Sequence, residues 1–93
     1  MSGQVQVDVK IQEHRRRIDG IDGALVGLLN ERAQEALQIR SLKAESGLGL
    51  FDPKREEDIF EAVCAANEGP LYNENLREIY EAILKVMKEV PTA

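Results

Sequence analysis

Three basic residues, Arg15, Arg32 and Lys43, stand within stripes of apolar residues in the first half of the sequence. One stripe is formed by Leu28, Arg32, Ala36, Ile39 and Lys43, and the other by Ile11, Arg15, Ile18, Asp22, Leu25 and Leu29. Arg32 and Lys43 are eleven residues apart, close to three helical turns, so a helix would place them on one face. A buried cation is costly unless an acidic side chain or an anionic ligand accompanies it. The pattern predicts either internal ion pairs, with Asp22 or a glutamate as partner, or an anion-binding site.

Arg15 and Arg32 are too far apart on one helix to hold the same small molecule. Seventeen residues span about 25 Å along a helix, and the two side chains differ in direction by about 100°. In an antiparallel two-fold dimer, residues on opposite sides of the axis come together. A site with Arg32, Lys43 and Arg55 from one chain and Arg15 from the other would use all four cations.

A later helix begins with basic residues in an unfavourable position. Asp52 is a good N-cap, and Pro53 suits a first helical turn because its missing N–H costs nothing there. That turn favours carboxylates, which face the positive end of the helix dipole, yet Lys54 and Arg55 precede Glu56. A ligand would explain Arg55, and the alternative for Arg55 and Glu56 is a solvated helix start.

Turn signals divide the chain into three helices, one long and two shorter, which predicts an all-α fold. The first runs from about residue 10 to 45 and is ended by the segment SGLGL, residues 46–50, with Gly47 as C-cap. The second runs from Asp52 to the segment NEGP, residues 67–70. The third begins at about Asn73 as N-cap and is ended by Pro91.

The apolar positions of the two shorter helices predict their buried faces. These are Ile59, Phe60, Val63 and Cys64 in the second helix, and Leu76, Ile79, Tyr80, Ile83, Leu84 and Met87 in the third. Residues 10–91 are expected to form one helical domain. The alternation of Val5, Val7 and Val9 resembles a strand with nothing to pair with, so residues 1–9 are expected to be a flexible tail.

The long helix predicts a dimer. About 36 residues span about 54 Å, whereas a compact chain of this size has a radius of gyration near 12 Å. Two shorter helices of the same chain would not cover such a rod. A homodimer in which the long helices pack on each other would cover it.

Composition excludes several classes of function. A formal net charge of −5 over 93 residues argues against a nucleic-acid or membrane-surface binder. With one cysteine and one histidine there is no disulfide framework and no credible zinc set, so no metal and no cofactor is expected. No signal peptide or membrane span is recognisable, which predicts a cytoplasmic protein.

The segment HRRRIDGIDGALVGLLNERAQEALQIRSLKAESGL, followed by FDPKRE and NEGP, resembles the all-helical chorismate mutase family over about residues 10 to 90. The combination of RxxIDxID, LLxER, a lysine eleven residues after that arginine, and DPxRE is specific. The resemblance implies an intertwined homodimer of three-helix chains that binds chorismate and rearranges it to prephenate without a cofactor.

The resemblance also implies roles for individual residues. Arg15 would be donated by the neighbouring subunit, and Arg32 and Lys43 would be ligands from the first helix. The remaining ligands would be Asp52, Arg55 and Glu56. Lys43 would stabilise charge on the breaking ether oxygen, and Glu56 would accept a hydrogen bond from the ring hydroxyl, with help from the backbone near Asp52.

The third helix departs from the family pattern. Family members commonly carry a small polar residue there and, four positions later, a glutamine that assists at the ether oxygen. Met87 and Pro91 occupy those positions, so Met87 would line the substrate while being an apolar filler by its residue type. Proline donates no hydrogen bond, which predicts weaker activity unless Lys88 or a water substitutes.

Two alternatives to a chorismate mutase remain on the same scaffold. The first is a related enzyme, either a mutase for an aminated chorismate or a lyase that removes pyruvate from isochorismate. The second is a non-catalytic dimeric module that keeps the pocket for regulation or docking. A free-standing mutase and one that acts with a partner enzyme of aromatic biosynthesis are both compatible with the sequence.

Overall fold

The computed structural model describes residues 2–47, 49 and 52–91, with the side chain of residue 2 left aside. It consists of three helices, α1 (Ser2–Ser46), α2 (Pro53–Ala65) and α3 (Asn73–Glu89). No strand occurs in the part of the chain that is described. The predicted all-α fold with one long and two shorter helices is therefore confirmed. None of these helices has the length and hydropathy that crossing a membrane requires.

Helix α1 begins earlier than predicted. Its 45 residues include the segment of Val5, Val7 and Val9, so a start at about residue 10 was wrong. Each residue added to an existing helix gains a backbone hydrogen bond at little further entropic cost. An isolated strand cannot form backbone hydrogen bonds in this way, because it needs a neighbouring strand. The side chain of Gln4 donates to Asp8 one turn later, at 3.1 Å. Whether residues 1–9 are flexible, and whether the domain covers 10–91, stays a prediction.

Helix α1 ends where the glycine signal places it. Ser46 is its last residue, and Gly47 has a φ of 76°, the left-handed conformation that commonly follows a helix C-terminus. The predicted cap is confirmed. Leu48 and Leu50 of the same turn segment, and Phe51 after it, lie outside the described residues.

The chain divides into two compact units, of which the first is Met1–Gln34. Its structure is one helical segment, and all residues from 3 to 28 are exposed. Within the second apolar stripe, Ile11, Ile18 and Leu25 are 43%, 54% and 52% exposed. An amphipathic helix normally buries its apolar stripe, so this unit does not bury its own.

The second unit, Glu35–Ala93, holds the buried core. Leu84 and Met87 are buried, and the half-buried apolar residues of α2 and α3 around them are Ile59, Phe60, Val63, Cys64, Leu76, Tyr80 and Ile83. Ile79 is 47% exposed, so its predicted burial is wrong for the single chain. The Arg77 guanidinium lies 4.4 Å from the centre of the Phe60 ring and adds a cation–π contact between α2 and α3.

The loop between α2 and α3 confirms one predicted position and corrects another. Helix α2 ends at Ala65, before the NEGP segment. The N-cap of α3 is Tyr72, whose N–H donates to the Asn75 side chain at 3.1 Å, and not Asn73. The Asn73 side chain instead accepts a hydrogen bond from Asn67 at 2.9 Å, which ties together the two ends of the loop.

Arg40 joins α1 to the end of α3. Its guanidinium donates to the carbonyl oxygens of Met87, at 2.7 Å, and Val90, at 2.5 Å. The last carbonyls of a helix have no partner within it and carry the negative end of the dipole, so a cation is favourable there. Arg40 therefore caps the C-terminus of α3, although it is 47 and 50 residues away in sequence from the two carbonyls that it contacts.

We expect Arg40→Ala to lower the free energy of unfolding by about 2 kcal/mol, since it removes charged hydrogen bonds to two partly buried carbonyls. Arg40→Lys should recover only part of that loss, because an ammonium does not reproduce the guanidinium fork. Urea unfolding at fixed protein concentration measures both values. Equal stability of Arg40→Ala and the unaltered protein would contradict the capping role.

Candidate active site

The cations of the first stripe are half-buried in α1. Arg32, Ala36 and Lys43 are shielded in part from solvent, whereas Leu28 and Ile39 are 61% and 54% exposed. In this stripe the basic residues are thus less exposed to solvent than the large apolar residues Leu28 and Ile39. Leu42 and Ile39 border a shallow, open depression beside Lys43.

The side chains of Arg15, Arg32 and Lys43 make no hydrogen bond or salt bridge within residues 2–47, 49 and 52–91. The internal ion pairs that the sequence offers as one interpretation are not formed there, and Asp22 does not pair with Arg15. Carboxylates outnumber basic residues in the chain, 17 to 12, so the lack of pairing is not a shortage of acids.

Asp52 caps α2 as predicted. Its Oδ1 accepts a hydrogen bond from the Arg55 backbone N–H at 3.0 Å, and its carbonyl accepts from the Glu56 N–H at 3.2 Å. The cap therefore fixes the backbone of two further candidate residues. The other oxygen of the Asp52 carboxylate has no backbone partner among the described residues.

The two basic residues of the first turn of α2 differ in their surroundings. The ammonium of Lys54 donates to Asp58 at 2.7 Å, one turn later. That hydrogen bond and the charge of Asp58 raise the pKa of Lys54. The Arg55 guanidinium has no such partner among the described side chains. Lys54 therefore has a local reason for its position. Arg55 is exposed, so both a solvated helix start and a ligand contact remain compatible with its position.

Glu56 has a partner from the far end of the second unit. Its carboxylate oxygens lie 3.3 and 3.4 Å from the Lys88 ammonium, and the Glu56 side chain is only 28% exposed. Met87, the neighbour of Lys88, is 8% exposed and packs in the core. Its burial supports the role of apolar filler, and its contact with a substrate stays a prediction.

The second unit contains Lys43, Asp52, Arg55, Glu56 and Met87. The first unit contains Arg15 and Arg32.

Sequence reasoning missed two of the contacts that join the helices of the second unit, those of Arg40 and of Lys88. Arg40 was not singled out, although it follows Ala36 and Leu37 by one turn and would have been found by extending that half-buried face. Lys88 was expected only as a substitute donor at the ether oxygen. Lys88 and Glu56 are 32 residues apart and lie on different helices, so the helical periodicity of the sequence does not predict that they pair.

The model of the family described as chorismate mutase type II matches residues 14–91. The chain belongs to this family. It is also similar to solved structures of chorismate mutase from Thermus thermophilus. One superposes with a TM-score of 0.85 at 33% identity, over 87% of this chain and 92% of that one. Another form gives 0.82 at 35% identity, over 84% and 98%.

Curated relatives of this chain include longer proteins. A bifunctional chorismate mutase/prephenate dehydratase of Aquifex aeolicus is 36% identical over 92 residues, which are 90% of this chain and 25% of that protein. The chain thus spans about a quarter of that relative's length. A chorismate mutase of Methanocaldococcus jannaschii is 33% identical over 54 residues, 58% of this chain and 54% of that protein.

The N-cap yields a direct test. We expect Asp52→Ala to lower the free energy of unfolding by about 1 kcal/mol because it removes the acceptor for the Arg55 N–H. Asp52→Ser should retain most of the stability, since a serine hydroxyl also caps helices. Thermal unfolding of the three proteins compares them. A serine variant as unstable as the alanine variant would contradict the cap.

Proposed function

We propose that the protein is a chorismate mutase, which converts chorismate to prephenate by a cofactor-free [3,3] rearrangement in aromatic amino-acid biosynthesis. The observation that carries this proposal is a set of basic side chains, Arg15, Arg32 and Lys43, that have no acidic partner among the described residues of a chain of this family. The substrate is a dicarboxylate and would supply the missing negative charge.

Binding would do most of the catalytic work. Arginine forks at Arg15 and Arg32 would hold the two carboxylates bidentately. They would thereby fix the chair-like geometry in which the reacting carbons meet, and such positioning lowers the barrier of an intramolecular reaction. Arg55 would either bind the ligand or hold neighbouring residues of the site. No acid, base or nucleophile is required, because no proton is transferred in the rearrangement.

Lys43 is assigned to the breaking bond. As the C–O bond lengthens, negative charge grows on the ether oxygen, and an ammonium at Lys43 would stabilise that charge more than the ground state. Glu56 would accept a hydrogen bond from the ring hydroxyl, with help from the backbone near Asp52. Half-burial of Lys43 supports this assignment, because partial desolvation strengthens its interaction with a developing charge.

The working unit in this proposal is an intertwined homodimer. Leu84 and Met87, each 8% exposed, are the buried apolar residues of the described part of the chain, a small core for a protein of 93 residues. Meanwhile Ile11, Ile18 and Leu25 remain exposed on α1. A second copy would cover that face and would bring its Arg15 to this chain's site by two-fold symmetry.

The end of α3 lowers the expected rate. Pro91 cannot donate to the ether oxygen, and Met87 is buried and apolar. A missing donor of that kind costs about 3 kcal/mol of transition-state stabilisation, or about a hundredfold in rate. This observation favours a second candidate function, a dimeric module that binds the dicarboxylate without turnover.

The protein is further proposed to act with a partner enzyme and to be located in the cytoplasm. The Aquifex aeolicus relative is named as a chorismate mutase joined to a prephenate dehydratase, which supports association of this chain with another enzyme of aromatic biosynthesis. The proposed location is the cytoplasm. No nucleic-acid partner is proposed, since the net charge is −5.

Purified protein should consume chorismate and release prephenate, followed by absorbance and chromatography. Lys43→Ala should lower kcat by at least about a hundredfold, because it removes a preorganised charge from the transition state. Its unfolding free energy should change little, since the Lys43 side chain has no partner in residues 2–47, 49 and 52–91. Lys85→Ala, an exposed lysine of α3, is the matched control.

The outcomes separate the candidate functions. Turnover of isochorismate or of an aminated chorismate, with none of chorismate, would move the assignment to the related enzymes. Saturable binding of chorismate without product would favour the non-catalytic module. An unchanged kcat in Lys43→Ala would remove Lys43 from the mechanism.

A further inference from the structure

The pairing of Lys88 with Glu56 links the last turn of α3 to the first turn of α2. The Lys88 ammonium lies between the two carboxylate oxygens, 3.4 Å from Oε1 and 3.3 Å from Oε2. A cation that contacts both oxygens restricts rotation of the carboxylate plane. A carboxylate has about four lone-pair positions, so further acceptor capacity remains on Glu56.

The backbone that carries Lys88 is itself held in place. Arg40 donates to the carbonyls of Met87 and Val90, which lie just before and two residues after Lys88. Met87 is also buried in the core. A lysine in a fraying last turn would pair loosely with any nearby acid, whereas this one extends from a turn fixed on both sides.

The two partners differ in exposure. The Lys88 side chain is 60% exposed and the Glu56 side chain 28%. An exposed ion pair contributes little to stability, so stability alone gives little reason for this contact. Its other consequence is geometric, because it sets the direction of a half-buried carboxylate in the part of the chain that carries Asp52 and Arg55.

We propose that Lys88 is a positioning residue, which orients the Glu56 carboxylate to accept the hydrogen bond of the substrate's ring hydroxyl. Arg40 supports it by fixing the turn from which Lys88 extends. This inference rests on the proposed function, in which Glu56 binds that hydroxyl. Lys88 would thus affect the reaction by orienting Glu56, and not by donating a hydrogen bond to the ether oxygen.

A double-mutant cycle tests this role. We expect Lys88→Met, which keeps an apolar stem and removes the charge, to lower kcat/KM about tenfold, within the coupling found for residues in contact. In a Glu56→Ala background the same change should have no further effect. Lys88→Arg should restore most of the activity, and Lys85→Ala should match the unaltered protein.

Each other result has a distinct meaning. Full activity of Lys88→Met overturns the inference alone, provided that the unaltered protein turns over chorismate. Equal effects of Lys88→Met with and without Glu56 also overturn it, since Lys88 would then act independently, as a donor to the ether oxygen would. A loss that arginine does not restore and that follows a lowered melting temperature would show a structural role instead. An inactive unaltered protein would overturn the proposed function, and this inference with it.

Discussion

The apolar face of α1 is the constraint on which the rest of the account depends. All residues from 3 to 28 are exposed, including Ile18, Ile21 and Leu25, and none of the described side chains of the first unit is buried. Isolated helices gain little stability in water without tertiary packing of an apolar face. A second copy of the chain would bury this face, and the same association would carry Arg15 to a site that its own chain cannot complete. Folding and substrate binding would then depend on one interface.

Electrostatics determine what such a site would hold. The chain has an excess of acids, yet Arg32 and Lys43 are half-buried without acidic partners among the described residues. In the proposed site, the absence of a nearby carboxylate would leave the charge of both residues uncompensated until a dianion bound, which would favour the substrate over an internal ion pair. Preorganised charges of this kind need no reorganisation as the reaction proceeds. Glu56 is the exception, because a lysine from α3 already compensates it.

The sequence predicted the features that depend on neighbouring residues. Gly47 and Asp52 mark a helix end and a helix start through local backbone geometry, and the structure confirms both. The start of α1 was missed because alternating valines suggest a strand, whereas the absence of a partner strand leaves helix extension as the better option. Arg40 and Lys88 were missed because their partners are 47 and 32 residues away, and such contacts depend on how helices pack. The assignment of the motif residues from Arg15 to Glu56 to one site came from their spacing and from the family resemblance, and it stays a prediction.

The most direct test of the shared site is complementation between two inactive variants. Arg15→Ala and Arg32→Ala should each abolish nearly all turnover of chorismate, because every site in either homodimer lacks one carboxylate fork. After the two are mixed and refolded, half of the dimers would be mixed, and one of the two sites in each would be intact. About a quarter of the unaltered activity should therefore return at saturating substrate. Activity that stays at the level of the single variants, with subunit exchange confirmed, would contradict a site built from two chains.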